Sequence, residues 1–483
     1  MKRNIYLLVA GMAAMTLATS CSESTDLGNV SDNKTVSFMA SAGDADSRVG
    51  YAVDGNSLTC SWQSTDVINV FTAANISAAT TTAIASTTFS TPTIASGNHF
   101  ATFTGSFGTT TPTVGDALSA IVKSDNTAIF KVGSTVVANC ITQLICQDGT
   151  LNGAESRNIL AAVTSYKEGN IGASFSYKLA IIKLKLTLPA SVGTDADAEI
   201  ALKGTGLKKS IKLSPTDLSV SESSNGDVIA NTKVTGGTEK DVYLCVAPGT
   251  VTGLNVEVTI GNNVYTYAIG DKAIEAGKIY TKTVDLSSAT PVTYLFIENF
   301  SKFIYGGDDA NMLPGTIPTL TGASPNYSFD ETSIKSCSYS SDVPDIFAGM
   351  DANYRTSRGV SSWTCTKVYE HPGFLKIGTS SVNGSLEIPV FASLSGTKDA
   401  VLTFDAMSYD GNTANATPIK VTVGTVETAI TLPARPVYQK AGEWQHCTVN
   451  ITGATSATTI KIEGTGTNSN SNVRFLIDNI RVK

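Results

Sequence analysis

The residues best suited to acid–base work or metal ligation are three histidines, His99, His371 and His446, and none sits in a recognisable catalytic spacing. There is no HExxH pair to present two imidazoles on one helix face, and no GxSxG elbow to expose a nucleophilic serine. Gly204-Thr205-Gly206 and Gly464-Thr465-Gly466 lack the third glycine and the strand-to-helix setting of a dinucleotide loop, so they read as turns. Asp308 and Asp309 are neighbours in sequence, whereas a glycosidase needs two carboxyls facing each other across a sugar. Apart from Cys21, the cysteines are Cys60, Cys140, Cys146, Cys245, Cys337, Cys365 and Cys447, scattered and without a CxxC. That is neither a zinc layout nor a dense disulfide framework, and most read as small buried hydrophobes. Spacing leaves open a bridge between Cys140 and Cys146, or one within the last domain. These residue types nominate no reaction, and the expectation is a protein that is not an enzyme and requires no cofactor.

The elements that carry these side chains are strands. Of the 483 residues, 42% are hydrophobic and only 16% charged, so Ser, Thr, Asn and Gly must cover much of the surface. With the β-branched richness this describes an all-β fold, in a chain too long for one core. The net charge is −7 and no basic run occurs, which excludes nucleic acid as a partner. Residues 175–188, FSYKLAIIKLKLTL, read as one long alternating strand that opens a second lobe, stopped by Pro189. Residues 80–93 are Ser/Thr-rich and read as an exposed loop or weak edge strands. Short strands recur through residues 34–132, and residues 254–269 form a hairpin about Gly261-Asn262-Asn263. Residues 286–293 read as a linker. The closing stretch, residues 475–482, alternates so that Phe475, Ile477, Asn479 and Arg481 share a side.

Met1-Lys2-Arg3 followed by the apolar stretch Ile5 to Ala18 has the form of a signal peptide, too short to span a bilayer. Leu17-Ala18-Thr19-Ser20-Cys21 resembles a bacterial lipobox, which implies cleavage before Cys21 and lipidation (palmitate) of the new terminus. The alternative is an ordinary secretory signal with an incidental cysteine. The resulting division is signal peptide 1–20, flexible tether 21–33, an N-terminal β-sandwich 34–168, a second 169–287, linker 288–293 and a last domain 294–483.

Residues 34–287 resemble the fimbrillin (type V pilin) family of surface lipoproteins. The carriers are Cys21, the early strand KTVSFMAS, Ser61-Trp62 before Asp66-Val67-Ile68-Asn69-Val70-Phe71, the stretch FSYKLAIIKLKL, and Ala276-Gly277-Lys278-Ile279-Tyr280. The resemblance implies two transthyretin-like β-sandwich lobes. It also implies donor-strand assembly, in which cleavage after an arginine releases the first strand and opens a groove for a strand from another subunit. Arg48, before Val49, matches that place; the alternative is a plain surface arginine. The 190-residue continuation is a departure from stalk subunits and implies a tip or other terminal subunit of a fimbrium (pilus) with an adhesive head. Such a protein sits at the cell surface, held to the outer membrane through lipid on Cys21, with other fimbrial subunits as partners.

Residues 294–483 are similar to galactose-binding-like, carbohydrate-binding-module jelly rolls. Phe296-Ile297-Glu298-Asn299-Phe300, Gly442-Glu443-Trp444 and the closing FLIDNIRV carry the likeness. It implies a surface glycan or protein ligand, and a structural calcium between an early Glu and a late Asp, places matched by Glu298 and Asp478; the alternative is two solvated acids. Sugar binding uses exposed aromatic rings beside polar groups, and Trp363, Tyr354, Tyr369 and Tyr409 have such surroundings, with Arg355, Arg358, Asp410 and Asn412 nearby. Trp444 reads as core. The runner-up to the fimbrial reading is a non-polymerising surface lipoprotein that captures polysaccharide, and a third is an accessory domain of a secreted enzyme.

Overall fold

The computed structural model describes residues 36–42, 52–54, 57–59, 62, 64, 66–78, 87–95, 100–108, 111–122, 131–132, 138–144, 147–214, 216–303, 345–348, 352–371, 373–379, 381–392, 394–409, 416–434, 444–468 and 471–483. Cys21, Arg48, Val49, Asp410 and Asn412 lie outside the described residues, as do the signal peptide and tether. The architecture is all-β. The α-helices among the described residues, Ala73–Ala78, Leu151–Arg157 and Ala352–Arg358, are six or seven residues long.

Seven strands of the first lobe close edge to edge into a barrel. The first strand, Val36–Ala42, is one of its staves, parallel to Asn170–Tyr177 on one side and antiparallel to Phe100–Gly105 on the other. Val36, Phe38 and Ala40 point inward and are buried, while Met39 is 48% exposed, which is the period of two that a one-sided strand must show. Phe38, Phe89, Phe175, Trp62 and Phe103 fill the interior, with ring centroids between 5.2 and 6.3 Å apart in tilted or edge-on pairs.

The stretch expected to be one long strand is two. Ile171, Ala173, Phe175 and Tyr177, at odd positions, face the barrel core, whereas Leu184, Leu186 and Leu188, at even ones, face the core of the second lobe. The parity changes at Lys178-Leu179, where Lys178 N–H donates to Ile159 O and Leu179 N–H to Asn158 Oδ1. The boundary near residue 169 is therefore displaced, because Asn170–Tyr177 belongs to the barrel and Ala180–Thr187 begins the second lobe. Ala138–Gln143 crosses the other way and pairs with Lys208–Leu213 of the second lobe. Buried Gln147 fastens that crossing, its side chain donating to Leu144 O and Cys245 O and accepting from Cys245 N–H. The Ser/Thr-rich stretch is also corrected: Thr87–Ile94 is a stave with Phe89 fully buried, and Pro92 sits where the register shifts between Ser90 and Thr93.

The second lobe packs a three-stranded sheet against a five-stranded one. Phe71, Ile121 and Ala161 of the barrel join its core, so the two lobes share apolar surface. The expected linker is partly structured: Val292–Thr293 adds to the edge of the five-stranded sheet opposite Asn263 and Val264. From there Leu295 N–H donates to Val482 O, and Phe296–Glu298 pairs with the last strand, Phe475–Val482.

The C-terminal domain is a sandwich of a six-stranded and a five-stranded sheet over one core. Its last strand is central, flanked by Phe374–Ile377 and Lys398–Ser408. The alternation expected along it fails midway. Phe475 and Ile477 face the core, but so do Ile480 and Val482, because Asn479 adopts φ 52° and the partner register shifts between Thr403 and Asp405. The irregularity places Asp478 at the bend and turns Arg481 toward the second lobe.

Candidate functional site

On the six-stranded sheet the hairpin Val368–His371 and Phe374–Ile377 sets Tyr369 opposite Lys376 and His371 opposite Phe374. Leu375 and Ile377 enter the sandwich core, so Lys376 and Phe374 must project from the other face. Lys376 also pairs with Leu476, which pairs with Met407. One strand pair further on, Tyr409 N–H donates to Arg474 O. The result is a ladder of rings and cations. Lys376 Nζ lies 4.9 Å from the Tyr369 ring centre and 4.7 Å from that of Tyr409, and the Arg474 guanidinium lies 4.9 Å from Tyr409. Lys376 is only 4% exposed, so these contacts fix the two half-buried rings against a charge that is itself held in place. Phe374, Met407 and Leu476 form the apolar bed beneath, with His371 stacked on Phe374 at 5.1 Å and Trp444 edge-on to it at 5.8 Å. Trp444 therefore belongs to this face, not to the sandwich core. Fixed tyrosine hydroxyls beside cations are groups that can hydrogen-bond the oxygens of a sugar.

Of the four aromatic residues expected to contact a ligand, the structure joins Tyr369 and Tyr409 and withdraws the other two. Trp363 is core, packed at 6.2 Å from both Phe296 and Phe300. Tyr354 is fully buried: it lies four residues before Arg358 on the helix Ala352–Arg358, so both reach Glu370 from one face. The Tyr354 hydroxyl donates to Glu370 Oε2, and Arg358 Nη2 lies 3.2 Å from Glu370 Oε1 with both side chains buried. Polar neighbours in the sequence marked a buried ion pair, not an exposed platform. Arg355 lies on the same helix, half-buried. Lys376 and Arg474 escaped the sequence reading, although Phe374-Leu375-Lys376-Ile377 carries a signal: a lysine alternating with core residues must occupy the opposite face. Cys365 and Cys447 are free thiols, so the bridge considered within the last domain does not join them.

Glu298 pairs with Ile480, two residues from Asp478 on the last strand, and the two line different clefts, Glu298 beside Lys302 and Asp478 beside Lys209. Burial pushes the Glu298 carboxyl up to about 7, with Glu199 adding repulsion, although the Phe300 N–H donates to it. Burial likewise pushes Asp478 up to about 8, against the pull of Lys209. Each is a desolvated carboxylate outside any ion pair with a described residue, and a calcium ion held there would relieve the cost of its charge. Among the described residues no group of three or more His, Cys, Asp or Glu is placed to hold a metal, so further ligands would be backbone carbonyls.

The C-terminal domain is seated on the second lobe through charged groups. Arg481 grips Glu257 with both nitrogens, at 2.5 and 3.3 Å, and Lys203 reaches Glu257 at 3.3 Å and Asp227 at 3.0 Å. Burial alone would raise the Glu257 carboxyl, but Arg481 and Lys203 hold it below its ordinary value. Asn299 and Ser301 donate to the two oxygens of Glu199. Lys209, from the second lobe, lays its ammonium 4.8 Å from the Phe374 ring centre. Its side chain passes Gly226, where a Cβ would come within 2.8 Å of Lys209 Cδ, so any larger residue would block the path.

No family model matches this chain, and no curated protein matches it. Among solved structures, a candidate cell adhesion protein from Bacteroides ovatus is similar over 54% of this chain and 95% of its own, at 15% identity and TM-score 0.36. A second candidate cell adhesion protein, from Bacteroides uniformis, is similar over 54% and 96%, at 14% identity and TM-score 0.34. A family 35 carbohydrate-binding module from Clostridium thermocellum is similar over 25% and 90%, at 14% identity and TM-score 0.19.

Proposed function

We propose that this protein is a non-catalytic adhesin of a bacterial surface, carried to the outer membrane as a precursor lipidated on Cys21 and then, once cleavage has removed that anchor, assembled by donor-strand exchange as a terminal fimbrial subunit. The observation that carries the reading is the different use of the two end strands described. Val36–Ala42 is a single stave whose loss after cleavage between Arg48 and Val49 frees two sheet edges, at Phe100–Gly105 and Asn170–Tyr177, over an apolar trough floored by Phe89 and Phe175. An open edge of that kind accepts a strand from another subunit. Phe475–Val482, by contrast, is hydrogen-bonded along both edges in its own domain and is not offered to a neighbour. A last strand paired in this way supports reading the C-terminal domain as a head and not as a strand donor. Tyr369 and Tyr409 are the residues we assign to glycan contact, and calcium, held at Glu298 and at Asp478 with backbone carbonyls, would stabilise the start and finish of that domain.

Intact mass and N-terminal sequencing of protein sheared from the cell surface test the assembly. The expected terminus is Val49 without lipid. A lipidated Cys21 retained in assembled material refutes processing and leaves the second reading, a non-polymerising glycan-binding lipoprotein, which the two-sided pairing of Val36–Ala42 also accommodates. A glycan array probed with the full chain and with Tyr369→Ala and Tyr409→Ala tests the head separately.

A further inference from the structure

The second lobe and the C-terminal domain flank an open cleft of about 650 Å3. Strand register builds one wall: Asn231, Glu199 and Thr259 stand side by side on adjacent strands, and Lys233 and Asp197 form the next row. The other wall is the turn from Glu298 to Lys302. That turn is fixed from within. Phe300 takes φ 55°, its ring fully buried 5.4 Å from Phe303 and 6.2 Å from Trp363, while Glu298 Oε1 accepts the Phe300 N–H and Asn299 Oδ1 accepts the Ser301 N–H. The two walls are fixed to each other as well, through Glu199 with Asn299 and Ser301 and through the Arg481–Glu257 pair. The cleft is therefore a preformed cavity at a domain junction, in the range of about 300–1,000 Å3 that small-molecule sites occupy.

We propose that this cleft binds a neutral, polyhydroxylated ligand, a short run of glycan, at a site separate from the Tyr369–Tyr409 face. The lining disfavours organic ions: Asp197 and Lys233 pair at 2.6 Å, Glu199 is taken up by Asn299 and Ser301, and Glu298 and Lys302 present opposite charges to the remaining space. Ile297 is the one large hydrophobic side chain of the lining, so an apolar ligand would find little to pack against. A sugar hydroxyl both donates and accepts, so one ring can donate to Asp197 while accepting from Lys302 or from the Asn231 amide. Both walls contribute donors and acceptors, so a bound glycan would bridge the head and the lobe beneath it.

Saturation-transfer difference NMR on the full chain tests the site, with cellobiose, xylobiose and N-acetyllactosamine as probes. Asn231 is exposed at the cleft, so Asn231→Trp fills the space without entering a core; an unchanged unfolding midpoint confirms that the variant folds. At least one disaccharide is expected to receive saturation from the wild type, to lose affinity about tenfold or more in Asn231→Trp, and to bind unchanged in Tyr369→Ala and Tyr409→Ala. Silence from all three probes, or binding indifferent to Asn231→Trp, overturns the cleft site. Binding lost only in the tyrosine variants also overturns it, while supporting the sheet-face reading.

Discussion

If Arg481 locks the C-terminal domain to the second lobe, replacing it should cost far more than a surface ion pair would. Its side chain is 16% exposed and that of Glu257 12%. Removing one member of a buried pair typically costs about 3–5 kcal/mol because the other charge is left desolvated. Residual exposure, and Lys203 at 3.3 Å as an alternative partner for Glu257, place Arg481→Met at the low end, roughly 3 kcal/mol. Glu257→Gln leaves Arg481 without its carboxylate partner, with Tyr294 still beside it, and should cost a comparable amount, yet the double variant should be less destabilised than the sum by about 1.5–3 kcal/mol. Urea unfolding suits the measurement, because Trp62 reports on the barrel and Trp363 on the C-terminal core. In the wild type the two should report one transition, and in Arg481→Met the C-terminal signal should separate. Additivity of the two variants within about 0.5 kcal/mol, with coincident transitions in all four proteins, would refute the lock.

Other perturbations follow from the same structure. Trp363→Ala should destabilise the C-terminal domain by about 3–5 kcal/mol as a core cavity does, measured by urea unfolding, and a glycan-binding loss without a stability loss would contradict its assignment. Phe38→Ala should cost the barrel about 3–5 kcal/mol and speed proteolysis of the first lobe, and a neutral result would mean that the first strand is not held by its inward face. The carboxyls of Glu298 and Asp478 bind protons more tightly when folded, so the stability they contribute is full below their unfolded values of 4.5 and 3.8. That contribution is lost as pH rises through about 7 and about 8 respectively. The unfolding midpoint should therefore fall from about pH 5 to about pH 9, and calcium should reverse the fall by stabilising the ionised carboxylates. If Glu298→Gln and Asp478→Asn leave the slope unchanged, or calcium has no effect, the metal assignment is wrong.

Much of the scaffold was legible because one-sided strands write their burial into alternate positions, as Val36, Phe38 and Ala40 do. The same rule contained its own corrections. The parity change at Lys178-Leu179 separates two strands that looked like one, and the change at Asp478-Asn479 turns Arg481 toward the second lobe. Phe89 was obscured by threonines and serines, which serve on the outside of a barrel stave as well as in a loop. The proposed ligand face was half legible. Tyr369 and Tyr409 were identifiable by type, but the pairing that puts Lys376 between them is long-range. Tyr354 and Trp363 have similar local neighbours, and only the fold shows that Glu370 or the phenylalanine cluster claims them. The seat on the second lobe was not legible at all, since Glu257 and Arg481 are 224 residues apart.

If, as proposed, this chain caps a filament with an adhesive domain, residues 294–483 should be found at filament ends. Immunogold electron microscopy of intact cells, with antibody raised against residues 294–483, tests it most directly. Label is expected at one end of surface filaments and should be lost in Arg48→Ala cells. Label spaced along the shafts, or confined to the membrane with filaments bare, would contradict it.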